Sequence, residues 1–174
     1  MTAAILPEAA QMSIQTAETK LAQPMCAAEV LEHSQRQVVS TDYSALSAQN
    51  FLLLHVDAKG LGEQQQRAVA DWLRRLPCPV LGIALDTQAS IIGDACDVLL
   101  DETVDAALLV ANIRRTPIAA TVLVQLLRAV GHLPLESALV AESMAYATLQ
   151  SGAEFRHWLE QRPQEASEVL IEPG

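Results

Sequence analysis

A chain of 174 residues, 51% hydrophobic and 18% charged, is long enough for one domain with a real core and too apolar to be intrinsically disordered. Its formal net charge of −10 argues against nucleic acid as a partner, because phosphate contacts need clustered Lys and Arg, and Arg74–Arg75 and Arg114–Arg115 are too small a footprint. No run of 18 apolar residues offers a membrane span, and an aromatic content of 3% leaves aliphatic side chains and alanine to fill the core.

Residues 1–36 are rich in Ala and Gln and broken by Pro7 and Pro24. They lack a basic region followed by a long apolar stretch, so they do not read as a secretory signal, and a cytoplasmic location is expected. The segment reads as mobile or partly helical, with a short helix near 27–33, and the domain proper is expected over 37–162. Val38 and Val39 suggest a short first strand. Residues 51–56 form a continuous apolar run ending at a turn, as expected for a strand covered on both faces. A helix follows over 62–76, with Val69, Trp72, Leu73 and Leu76 on one face. Pro77 and Pro79 stop it. The apolar run 80–85 is the next strand, so strand, helix and strand make a βαβ unit with parallel strands and a right-handed crossover. Residues 97–100 give a further short strand.

The second half is helical. Thr103 is placed to cap a helix with Val104, Ala107, Leu108 and Ala111 on its apolar face. Thr116 and Pro117 are the N-cap and N1 of a second helix, with Ala119, Val122, Leu123, Leu126, Leu127 and Val130 on one face and Gly131 at its end. Pro134 opens a third helix that runs to Gln150. Ser151 and Glu154 suggest a capping box for a last one carrying Phe155, Trp158 and Leu159. Trp72 and Leu126 are expected in the core. Residues 163–174 form a tail in which Val169, Leu170 and Ile171 suit an edge strand, or the first strand of a further domain. The fold class is therefore α/β, a small, mostly parallel sheet followed by a C-terminal cluster of helices.

Few residues stand out for chemistry. Lys59, Gly60 and Gly62 lie between a strand and a helix, where backbone N–H groups bind anions, and they are the candidate cofactor-binding residues. Their spacing matches neither the dinucleotide fingerprint nor the phosphate loop, and a plain tight turn is the favoured alternative. Glu142 and Tyr146, four apart on a helix, are the candidate acid–base pair; a solvated glutamate beside a partly buried tyrosine is the plainer alternative. His33, His55, His132 and His157 are not at zinc-ligand spacing, so no metal site is expected. Cys26, Cys78 and Cys96 read as buried small hydrophobes in a reducing compartment.

The stretch 69–83, with its helix, Leu76–Pro77 and buried strand, resembles the crotonase (enoyl-CoA hydratase/isomerase) superfamily, as do Cys96-Asp-Val-Leu-Leu100 and the helical segments holding 113–120, 142–146 and 154–158. The resemblance covers about residues 50–160. It implies a crotonase-like domain and a coenzyme A thioester as ligand. Crotonases stabilise a thioester enolate with two backbone N–H groups. The glycine-rich segments that supply them have no match after Val56 or after Leu85. The resemblance thus implies an accessory or structural subunit, partnered by its own copies or by a crotonase-type catalytic subunit. Two alternatives stand beside it: a small active acyl-CoA hydratase/isomerase with an unusual site, and an interaction module unrelated to coenzyme A.

Overall fold

The computed structural model describes residues 23–36, 42–84, 90–101 and 104–162. Three short strands, β1 (Leu52–His55), β2 (Val80–Ile83) and β3 (Val98–Leu100), form a parallel sheet in the order β1-β2-β3. Leu52 pairs with Val80 and Leu81 with Val98. The ladder extends past the strand ends through Val56 N–H to the Ile83 carbonyl (3.1 Å) and Asp97 N–H to the Val80 carbonyl (2.9 Å). The parallel pairing and the strand positions are those the apolar runs predict.

Both faces of the sheet are covered, which is why its strands are apolar at successive positions rather than at alternate ones. On one face Leu52, Leu54, Val56 and Val80 pack against α1 (Ala27–Arg36) and α2 (Glu63–Arg75). Val69, Trp72, Leu73 and Leu76 are buried there as their spacing predicts, and Trp72 meets Tyr43 edge-on at 6.0 Å. On the other face Phe51, Leu53, Leu81, Ile83 and Leu100 pack against α3 (Ala106–Arg115). Gly82 lies at a close approach of neighbouring side chains. A Cβ there would sit 2.7 Å from Val56 Cγ1 and 2.8 Å from both Cys96 Sγ and Leu99 Cδ2, so only glycine fits.

The domain begins before Gln37. Met25 adds to the free edge of β1, its N–H bonding the Leu53 carbonyl (3.0 Å) and its carbonyl accepting from His55 N–H (2.9 Å). Ala27 and Val30 of α1 then enter the core. The expected strand at Val38 and Val39, Thr103 and the tail 163–174 lie outside the described residues.

The helical half departs from its predicted faces. In α3 the buried positions are Ala106, Val110 and Ile113, and Leu108 is 58% exposed. Residues 106–111 are apolar at every position, so periodicity alone does not set the face. The cap is Asp105, whose carboxylate accepts from Leu108 N–H at 2.9 Å. Three helices follow: α4 (Pro117–Val130), α5 (Leu135–Ser151) and α6 (Ala153–Gln161). None of them buries a residue. Leu126 is only half-buried and Leu123 and Leu127 are exposed, so the expected core face of α4 is open along one side. Thr116 and Pro117 stand at N-cap and N1 of α4 as expected, but the Thr116 side chain makes no capping bond; its hydroxyl donates to the Asn112 carbonyl (3.1 Å). The side-chain cap comes instead from Glu154, whose two carboxylate oxygens accept from Ile118 and Ala119 N–H at 2.9 Å each. The predicted capping box at Ser151 is not formed, because Glu154 is spent on α4 and the Ser151 hydroxyl donates to the Thr148 carbonyl. Gly131 ends α4 as expected, but with ordinary helical φ (−61°) rather than a left-handed turn.

Candidate functional site

Where α4 leaves α3 and crosses the end of the sheet, it roofs an apolar cleft of about 540 Å³. Leu81, Cys96 and Val98 belong to the sheet side, Leu109 and Ile113 to α3, and Ala120, Leu123, Val124 and Leu127 to α4. The size suits a small apolar ligand, for which precisely aimed polar groups normally supply orientation.

The polar groups here are turned inward. Arg128 of α4 donates from Nε to Asp97 Oδ1 (2.8 Å) and from Nη2 to Asp97 Oδ2 (2.5 Å). Nη1 reaches the carbonyls of Leu76 (2.6 Å) and Arg74 (3.4 Å), and Nη2 that of Cys78 (3.3 Å). A guanidinium has five N–H donors, and these five acceptors use all of them. Asp97 Oδ2 also accepts from Val80 N–H (2.8 Å). Gln125, one turn earlier, donates to the Leu76 and Pro77 carbonyls (3.1 and 3.0 Å). The side chains of Arg128 and Asp97 are 20% and 12% exposed, so the pair is largely withdrawn from water. Its chemistry is that of a clasp fixing α4 to the α2–β2 turn, with no donor left for an anion.

The sequence-derived candidates fall in two separate places, and none of the five lines the cleft. Lys59, Gly60 and Gly62 form the turn after β1. Asp57 organises it: its Oδ1 accepts from Lys59 N–H (3.0 Å) and its Oδ2 pairs with Lys59 Nζ (2.8 Å). The hydrogen bond and charge of Lys59 hold the Asp57 carboxyl below its usual range. Gly60 is left-handed (φ 81°), the conformation that favours glycine. Gly62 N–H is taken by Gln65 Oε1 (2.9 Å), so α2 caps itself. The order of the described strands also follows chain order, without, among them, the reversal that opens a ligand crevice at strand ends in doubly wound folds. Glu142 and Tyr146 stand one turn apart on the outer side of α5, exposed, with Tyr146 at 63%.

Burial pushes the thiols of Cys78 and Cys96 up to about 12, which leaves them unreactive. Cys26, expected to be buried, is exposed at the start of α1, where its N–H donates to Glu29 Oε2 (2.7 Å). Among the described residues no group of three or more His, Cys, Asp or Glu side chains converges in a way that could hold a metal ion. Among the described residues no single helix is long and apolar enough to cross a membrane. The residues that sequence reasoning missed are Arg128, Asp97 and Gln125. The available signal was an arginine set among leucines and alanines, with an aspartate opening an apolar strand.

No family model matches the chain, and neither a curated protein nor a solved structure is significantly similar to it.

Proposed function

We propose that this chain is a crotonase-related accessory domain, a non-catalytic part of an acyl-CoA enzyme that works by docking. The observation that carries the reading is the contrast between its two halves. The α/β layers are closed and well packed, whereas α4, α5 and α6 expose Leu123, Leu127, Leu135, Leu139, Met144 and Trp158 and bury nothing. Large apolar side chains left together at a surface are the mark of an interaction site. The side chains suited to chemistry are self-satisfied or open to solvent: Arg128 is consumed by its clasp, and Glu142 and Tyr146 face outward. The kinship with crotonases rests on the sequence segments quoted above, and a coenzyme A thioester belongs to the partner in this reading. An interaction module unrelated to coenzyme A accounts for the exposed helices equally, and the partner's identity separates the two.

The purified chain is expected not to hydrate crotonyl-CoA, since losing even one oxyanion donor costs about 10²–10³ in rate. Steady-state turnover at about 10 s⁻¹ or more, ordinary for an enzyme, would refute the accessory reading. Recovery of a crotonase-type catalytic subunit with the tagged chain from its host, identified by mass spectrometry, would support it against the unrelated module.

A further inference from the structure

We infer that the partner covering α5 is a second copy of this chain, packed antiparallel across a two-fold axis. The inference rests on α4–α6 being an interface and not on the crotonase kinship. Its first support is charge. The chain has 21 acidic residues and a net charge of −10, yet residues 117–151 hold only Arg128, Glu136 and Glu142. Arg128 is already neutralised by Asp97. Two strongly acidic copies repel wherever their charged surfaces meet, and this stretch is where they approach at least cost. A basic partner would find little here to pair with.

The second support is the spacing. One side of α5, Ala138, Ala141, Ala145 and Leu149, is half-buried. Beside it runs an exposed stripe, Leu135 (75%), Leu139 (56%), Glu142 and Tyr146 (63%). The steps are four, three and four residues, the near-3.5 period of a helix–helix seam. That series reads the same from either end. Two antiparallel copies therefore set Leu135 against Tyr146 of the partner subunit and Leu139 against Glu142 of the partner subunit. A self-complementary patch is what a two-fold interface requires. In this register each Glu142 lays its methylene stem on a leucine and keeps its carboxylate at the rim.

Sedimentation equilibrium across a hundredfold dilution series tests this with the full chain. The expected mass at high concentration is twice the 18.7 kDa of one chain. Leu139→Glu should give a monomer with an unchanged circular dichroism spectrum. Glu142→Leu should tighten the dimer about tenfold by removing the one charge in the seam, which keeps the test intact if Leu139→Glu fails to fold. Leu46→Glu, at an exposed position on the α/β half, should leave the dimer as it is. A monomer at every concentration, or a dimer that neither α5 substitution shifts, overturns the inference. A monomer that still binds a crotonase-type catalytic subunit overturns this pairing and leaves the accessory reading standing. A dimer with no affinity for such a subunit supports the pairing and removes that reading.

Discussion

Cys78 and Cys96 make the stability of the fold sensitive to alkaline pH. Both thiols ionise near 9 when unfolded and at about 12 in the native protein, because burial disfavours the thiolate. Between these values the unfolded chain sheds protons that the native chain keeps. The stabilisation is therefore fully present below pH 9 and is lost as pH rises towards 12, by at most about 1.4 kcal/mol per thiol per pH unit. Urea unfolding at pH 8 and pH 10 should show this loss, and the variant Cys78→Ala/Cys96→Ala should lose less. An equal loss in the variant would assign the effect to other groups. The burial of Cys78 was legible from its place between two prolines at a strand entry. The exposure of Cys26 was not. Met25 spends its backbone on β1 and Ala27 its side chain on the core, so the intervening residue is left outside by a contact that only the tertiary fold creates.

Among the elements, the strands and α2 were readable because their apolar pattern and their breaks agree. The run 51–56 ends at the Asp57 turn, and Pro77 and Pro79 separate α2 from β2. The later helices were harder. Apolar residues fill every position from Ala106 to Ala111 in α3, and the face that α4 presents is set by a polar clasp reaching back to Asp97, which no local pattern encodes. The same holds for the cap of α4, supplied by Glu154 from a helix that comes later in the chain. The clasp predicts a specific weakness. Arg128→Ala leaves the Asp97 carboxylate largely buried beside a Cys78 carbonyl that has lost the Arg128 donor, while the Leu76 carbonyl keeps only Gln125. It should cost about 2–4 kcal/mol, somewhat below the usual range for breaking a fully buried ion pair, because both side chains retain some exposure. Arg128→Lys should recover only part of this, since one ammonium cannot reproduce a fork spanning a carboxylate and three carbonyls. Urea denaturation checks both. A cost below about 0.5 kcal/mol for Arg128→Ala would mean that the clasp contributes nothing net.

At the scale of the whole molecule, stability is concentrated at one end. The sheet, α1, α2 and α3, with the segments that join them, contain every buried side chain of the two core clusters. The extension α4–α6 is joined to it by Arg128, Gln125, the α3–α4 corner and one apolar wall of the cleft. Elements with few buried apolar contacts open locally at a lower free-energy cost than the core. Hydrogen exchange should therefore separate the two parts. Amides of β1, β2 and β3 should exchange only through global unfolding, while those of α5 and α6 exchange earlier through local opening. Ile118 and Ala119, held by Glu154, should be lost together with α6. Pairing of α5 with a second copy adds a concentration dependence, because a partner that binds only the closed form stabilises it by mass action. Protection in α5 should then rise with protein concentration in the wild-type chain and stay flat in Leu139→Glu, while the strands remain unchanged in both. Uniform protection from β1 to α6 at low concentration would show that the extension belongs to the same cooperative unit as the sheet, and that its exposed leucines do not weaken it.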